Sequence, residues 1–286
     1  MSEKPIERVV VIGGGTMGHG IAQVAAAAGM DVVLADLSED VLEAAIGKIR
    51  DGLERRVAKG KATPEEIEAL LGRIATATDA MAAARDADVV VEAVPESLEL
   101  KQNLFRELSG VVADDAILAS NTSSISLTTI ASAATNPERV IGAHFFNPVP
   151  VMTLLEVVRA DQTSDATVER TRAFGERLGK EVIVVRDTPG FATSRLGVVL
   201  GLEAIRMLEQ GVAQASDIDR ALELGYRHPM GPLKLTDLVG LDVRLNIAEY
   251  LHEHIGGDQY APPELMRKMV AEGKLGKKSG EGFYRW

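Results

Sequence analysis

The chain has 286 residues, 46% hydrophobic and 26% charged, with no cysteine and a formal net charge of −11. The lack of cysteine excludes disulfides, thiol catalysis and cysteine-ligated zinc, and the acidic balance argues against nucleic acid as a partner. No apolar run approaches the ~18 residues that cross a bilayer, and the opening MSEKPIER has no apolar signal core, so a cytoplasmic chain without a membrane partner is expected.

The first predicted element is a strand over 9–12, an apolar, β-branched run suited to burial on both faces. Gly13, Gly15 and Gly18 follow in G-x-G-x-x-G spacing, with Thr16 and Met17 inside the turn. In this pattern the first glycine permits a tight turn. The second lets a pyrophosphate reach the backbone, and the third lets the next helix pack close to the strand. The alanine-rich helix that follows presents unpaired N–H groups and the positive end of its dipole to an anion, and it stops at Gly29. A second apolar strand runs to Asp36, 18 residues after Gly18. A carboxylate there accepts hydrogen bonds from ribose hydroxyls and repels a 2′-phosphate. Strand, glycine turn, helix, strand and acid together predict a dinucleotide site that takes NAD.

Leu42, Ile46, Ile49, Leu53 and Val57 form one apolar helical stripe. Thr63-Pro64-Glu65-Glu66 starts a second helix, with a threonine cap, proline in the first turn and glutamate at the capping-box position. A helical hairpin inserted after the second strand is expected. Arg55, Arg56, Lys59 and Lys61 cluster near its tip and read either as a solvated face or as a clamp for ligand phosphates.

Strands are predicted over 74–78, 88–94, 116–120, 139–145, 154–158 and 181–185, with helices over 97–108 and 167–178. This alternation predicts a parallel, doubly wound sheet of Rossmann type. Ligands of such sheets bind beyond the carboxyl ends of the strands. Ser123, His144 and Asn147 stand at or just past such ends and are expected to converge near the nicotinamide. After Asp187-Thr188-Pro189-Gly190 the strand patterns disappear, and helices are predicted over 192–210, 217–224, 233–255 and 263–272. A Rossmann-type domain over 1–187 and an all-α domain over 188–286 are expected. The apolar surface of the helical part, with Leu196, Val199, Leu200, Leu202, Leu233, Leu235 and Leu238, packs either on its own Rossmann domain or in a homodimer; the dimer is expected.

His144 is the candidate base: an imidazole works as one at neutral pH, and its aromatic neighbours can exclude water. His19 is expected in the glycine turn near the cofactor phosphates, and His228 in a turn before Pro229. His252 and His254 are two apart on a helix and do not share a face, so no metal is expected. Glu156, inside the apolar run LLEVV, needs a partner. Both His144 and Arg159 are candidates for that partner.

Seven segments, in order along nearly the whole chain, carry a resemblance: VIGGGTMGHGIAQVAA (11–26), VVEAVPE (90–96), ASNTSSI (119–125), GAHFFNPVPVMTLLEVV (142–158), DTPGF (187–191), HPMGP (228–232) and GKKSGEGFY (276–284). The chain resembles the L-3-hydroxyacyl-CoA dehydrogenases, and most of all their short-chain bacterial members. The resemblance implies NAD-dependent interconversion of a (3S)-3-hydroxyacyl-CoA and a 3-oxoacyl-CoA in fatty acid or related acyl-CoA metabolism. It makes His144 the general base, Glu156 its partner and Ser123 the hydroxyl that meets the substrate oxygen. It adds Glu96, Lys101, Asn147 and Lys278, with Ser123, to the NAD contacts of the glycine turn, and Lys59 to the CoA phosphates. The family carries FxxNRL after DTPGF. This chain reads FATSRL, so the shorter Ser194 stands where asparagine would meet the substrate. A 3-hydroxyadipyl-CoA substrate, a free hydroxy acid, and a non-catalytic NADH- or CoA-binding protein are the competing readings. The basic hairpin tip favours a CoA ester, and Ser123, His144 and Glu156 together favour an enzyme.

Overall fold

In the computed structural model, which describes residues 5–286, the chain forms two units that divide between Asp187 and Thr188. The apolar runs of the first unit become β1 (Arg8–Ile12), β2 (Asp31–Ala35), β3 (Ile74–Ala77), β4 (Val89–Glu92), β5 (Ile117–Ser120), β6 (Val140–Phe145), β7 (Leu154–Arg159) and β8 (Glu181–Arg186). They lie in one sheet in the order β3-β2-β1-β4-β5-β6-β7-β8. β1 to β6 are parallel. The chain leaves β1 toward β2 and β3 on one side and returns to β4 on the other. That reversal opens a crevice at the carboxyl ends of β1 and β4, where ligands of such sheets bind.

The sheet departs from an all-parallel arrangement at its far edge. β7 pairs with β6 antiparallel, and β8 is parallel to β7, so the last two strands run the other way. The cause is the length of the connection. Only residues 146–153 join β6 to β7, and a parallel return needs a crossover of about a dozen residues or more.

Helices α1 (Gly18–Ala27), α2 (Glu39–Ala58), α3 (Pro64–Leu71), α4 (Ala80–Ala84), α5 (Leu98–Ser109), α6 (Leu127–Ala131) and α7 (Asp165–Arg177) complete the unit. Ala22, Ala25 and Ala26 of α1 are buried in the main core with Val9, Val11 and Ile21. Their small side chains let α1 lie close to the sheet. α2 and α3 form the expected hairpin around their own cluster of Ile49, Leu53 and Ile67. Thr63 and Glu66 make the reciprocal capping box, with Glu66 N–H donating to Thr63 Oγ1 at 3.3 Å and Thr63 N–H to Glu66 Oε2 at 2.9 Å. α4 and α6 carry no periodic signal because each has five residues; the side chains of Asp79 and Ser126 cap them.

The second unit is helical: α8 (Thr193–Glu209), α9 (Ala215–Gly225), α10 (Pro232–Val239), α11 (Leu241–Ile255) and α12 (Glu264–Ala271). Val198, Leu202, Ile205, Leu233, Leu251 and Met266 are buried in its core. The single helix expected over 233–255 is two helices. Gly240 separates them with φ +107°, in a region that side chains rarely adopt. The C-terminal segment is tied to α10 by the wholly buried Asp237. Its carboxylate accepts from the N–H of Phe283 and Tyr284 at 2.9 Å and from the Trp286 indole at 3.0 Å. Among the described residues no helix is long and apolar enough to cross a membrane.

Candidate active site

The glycine turn is built from the ends of three adjacent strands. Gly13 takes φ +105°, and a Cβ there would stand 2.6 Å from the Ala93 carbonyl oxygen at the end of β4. A Cβ on Gly18 would stand 1.7 Å from the Gly13 carbonyl oxygen, so the start of α1 can approach the turn only as glycine. Gly15 is the contrast: nothing lies within 4 Å of its Cβ position, which leaves its backbone open to a ligand. Asp36, just past β2, accepts from Gly14 N–H at 2.8 Å and from Ser38 N–H at 3.3 Å, so the turn and the acid are one hydrogen-bonded unit. Thr16 is exposed and Met17 half-buried, where the turn enters α1. His19 lies in the first turn of α1 rather than in the glycine turn, with Nδ1 2.7 Å from the Gly15 carbonyl oxygen. An open glycine cradle, a helix N-terminus with no acidic residue in its first turn, and a carboxylate at the end of β2 fit the pyrophosphate and ribose of a dinucleotide.

On the same edge of the sheet β6 carries His144. The antiparallel register sets it opposite Glu156 of β7, and its Nδ1 lies 2.8 Å from Glu156 Oε2. Glu156 is wholly buried and His144 nearly so. The Phe146 ring packs over the imidazole at 4.5 Å between centroids. Arg159, the other candidate partner of Glu156, pairs with Asp165 at 2.6 Å. Asn121 accepts from Phe145 N–H at 2.9 Å and ties the end of β5 to the strand that holds His144.

Ser123 follows β5. Its N–H donates to Glu96 Oε1 at 3.0 Å, and its hydroxyl lies 3.5 Å from the same oxygen. Thr122 Oγ1 donates to that oxygen at 2.6 Å. Burial pushes the Glu96 carboxyl up, but the Lys101 ammonium and the bonds from Thr122 and Ser123 outweigh it and hold the group below the usual carboxylate range. Lys101 is only 1% exposed; its Nζ lies 2.6 Å from Glu92 Oε1 and 3.2 Å from Glu96 Oε2. The resemblance places Lys101 among the NAD contacts; in the structure its ammonium is enclosed between two carboxylates. Asn147 is exposed, two residues beyond β6.

Lys59 is exposed at the C-terminal cap of α2, with Arg55, Arg56 and Lys61 exposed beside it in sequence. Arg56 and Lys61 line a groove of about 500 Å³ whose other walls include Ala26, Leu53 and Leu70.

In the second unit, Ser194 is half-buried in the first turn of α8. Lys278 Nζ lies 2.6 Å from Asp242 Oδ2. Burial pushes the Asp242 carboxyl up, and the bonds from Lys278 and from backbone N–H groups hold it below its usual range.

Glu92, Ser120, Asn121 and Thr122 are given no role by the sequence, whereas Phe146 is one of the aromatic neighbours expected beside His144. For Glu92 a signal existed: like Glu156, it is a carboxylate inside an apolar strand, where a partner is obligatory.

Residues 8–188 match the family model described as 3-hydroxyacyl-CoA dehydrogenase, NAD binding domain, and residues 190–286 match 3-hydroxyacyl-CoA dehydrogenase, C-terminal domain. The chain belongs to the 3-hydroxyacyl-CoA dehydrogenase family. It is 46% identical to the 3-hydroxybutyryl-CoA dehydrogenase of Mycobacterium tuberculosis over 283 residues, which cover 98% of this chain and 99% of the relative. It is 47% identical to the human mitochondrial hydroxyacyl-coenzyme A dehydrogenase over 288 residues, 98% of this chain and 91% of the relative. The crystal structure of (S)-3-hydroxybutyryl-CoA dehydrogenase from Ralstonia eutropha superposes with a TM-score of 0.95 at 40% identity, covering 98% of this chain and 99% of that one. As a member of this family the chain is an NAD-linked oxidoreductase with a Rossmann-type first domain.

Proposed function

We propose that this protein interconverts (3S)-3-hydroxyacyl-CoA and 3-oxoacyl-CoA with NAD, with short-chain esters such as 3-hydroxybutyryl-CoA and acetoacetyl-CoA as substrates. The observation that carries the chemistry is the His144–Glu156 pair at 2.8 Å, at the carboxyl edge of the sheet that also bears the glycine turn. The short chain length rests on the names of the relatives.

Glu156 engages Nδ1, so the proton exchanged with substrate is the one on Nε2. His144 takes the 3-hydroxyl proton, and the Glu156 carboxylate stabilises the imidazolium that results. In reduction, the same imidazolium returns the proton. Bound NAD supplies the acceptor for the hydride that leaves C3. Ser123 donates to the reacting oxygen and steadies the charge that develops there. Ser194 is assigned the second contact to substrate on the resemblance alone.

For the cofactor, Gly13, Gly15, Thr16, Met17 and Gly18 cradle the pyrophosphate. Asp36 accepts from the ribose and disfavours NADP. Glu96, Ser123 and Asn147 complete the set in the first unit, with Lys101 acting from behind Glu96; Lys278, in the second unit, is assigned to NAD on the resemblance alone. Lys59 meets the CoA phosphates; the exposed basic tip around it supports that assignment.

The proposal includes a cytoplasmic homodimer whose contact is the helical domain. Leu196, Leu200, Leu224 and Leu238 stand exposed there at 42–70% of their area, apolar surface that a second copy would cover.

The test is a spectrophotometric assay with acetoacetyl-CoA, comparing NADH with NADPH and using free acetoacetate as control. Oxidation of NADH that requires the CoA ester is expected. Turnover of the free acid, or silence with the ester while NADH still binds, would overturn the reading.

A further inference from the structure

Glu92, the last residue of β4, is wholly buried behind the candidate site. Its Oε1 accepts from Val94 N–H at 2.8 Å and from Lys101 Nζ at 2.6 Å, and its Oε2 accepts from the Ser120 hydroxyl at 2.5 Å. The fold assembles this cluster from distant residues. Ser120 pairs with Glu92 in the β4–β5 register, and Lys101 comes from the first turns of α5. Beyond Lys101 stands Glu96 at 3.2 Å, and beyond Glu96 the N–H of Ser123 at 3.0 Å.

A continuous chain thus runs Glu92, Lys101, Glu96, Ser123, from the interior to the surface. A carboxylate and an ammonium buried as deeply as Glu92 and Lys101 are costly to desolvate, and such pairs are weak contributors to stability. Their geometry matters more. Lys101 is held between two carboxylates, so the pull of Glu92 sets how far the ammonium leans toward Glu96. The Glu96 oxygens set where the Ser123 loop sits. Reacting groups lose rate steeply with displacements of about 1 Å.

We propose that Glu92 is a positioning residue for the Ser123 hydroxyl, acting through Lys101 and Glu96. The inference rests on the assignment of Ser123 to the substrate oxygen. Glu92 itself reaches no ligand.

The test is a double-mutant cycle on the full-length protein. Glu92→Gln keeps the shape and one acceptor oxygen and removes the charge. It is expected to lower kcat about tenfold and, because the route passes through Glu96, which is also assigned to NAD, to raise the Kd for NADH, read by fluorescence titration, by a smaller factor of about threefold. In a Ser123→Ala background the same change should lower kcat by less than about twofold, because the group it positions is gone. Equal factors in both backgrounds, or an unchanged kcat, would overturn the proposal; the first of these is what a merely structural role produces. Should Glu92→Gln fail to fold, Glu92→Asp, which keeps the charge and draws both oxygens back from Lys101 and Ser120, carries the same comparison with the same expected sign. If Ser123→Ala alone keeps full turnover, the assignment of Ser123 fails, and this inference fails with it.

Discussion

His144 and Glu156 face each other across the β6–β7 ladder, with His144 Nδ1 2.8 Å from Glu156 Oε2. Twelve residues of chain separate them, and an eight-residue connection over 146–153 turns the strand back. Had the chain crossed over to a parallel strand, position 156 would have had no reason to oppose position 144. The reversal that breaks the all-parallel pattern therefore creates the pair. Glu156 has no solvent exposure, so the imidazole answers the charge that the strand buries.

Asp36 holds the turn through Gly14 N–H at 2.8 Å and is assigned the ribose as well. Asp36→Ala is expected to weaken NADH by roughly tenfold or more, as loss of a charged hydrogen bond does. NADPH should lose less, because removal of the carboxylate also relieves repulsion of the 2′-phosphate. Fluorescence titration with both cofactors measures this. Equal losses would remove Asp36 from the ribose.

Lys59 is exposed at the end of α2, among the cations of the hairpin tip. Lys59→Ala is expected to raise KM for acetoacetyl-CoA severalfold at low ionic strength. The effect should shrink at about 1 M salt, where the Debye length falls to about 3 Å. kcat should change little. A KM that stays unchanged at low salt would return the cluster to a solvated face.

Glu96 links the site to acid stability. Its carboxyl is held below the usual range, so its interactions stabilise the fold above the carboxylate range. That contribution is lost as pH falls through the folded-state value. Glu96 is 39% exposed, so solvent screens the effect and it is small. Denaturant unfolding of the native chain and of Glu96→Gln should differ most near pH 7 and converge in acid. A difference independent of pH would show that the charge on Glu96 carries none of it.

The parts legible in the sequence were those set by neighbours along the chain. β1, the glycine turn, α1 and β2 form one local unit, and each residue type in it has a local reason. The Thr63–Glu66 capping box is likewise written in four consecutive residues. Glu156 was recognisable as a carboxylate needing a partner, but His144 and Arg159 could not be separated without the strand register. Lys101 sits in LELKQN, where a lysine reads as a solvated charge. Only the fold brings it to Glu92 and Glu96, and Glu92 to Ser120, 28 residues away. Gly240 interrupts an apolar pattern that continues on both sides, so the break into α10 and α11 shows only in the backbone angle.

The most direct test of the account is His144→Gln, assayed for kcat with acetoacetyl-CoA and, separately, for NADH affinity. Glutamine keeps a polar group opposite Glu156 and cannot exchange a proton at the operating pH. We predict that kcat falls by roughly 10²–10⁴-fold, the scale of a lost general acid–base, while the Kd for NADH stays within about twofold. Turnover near that of the native protein would contradict the assignment of His144 and the chemistry built on its pairing with Glu156.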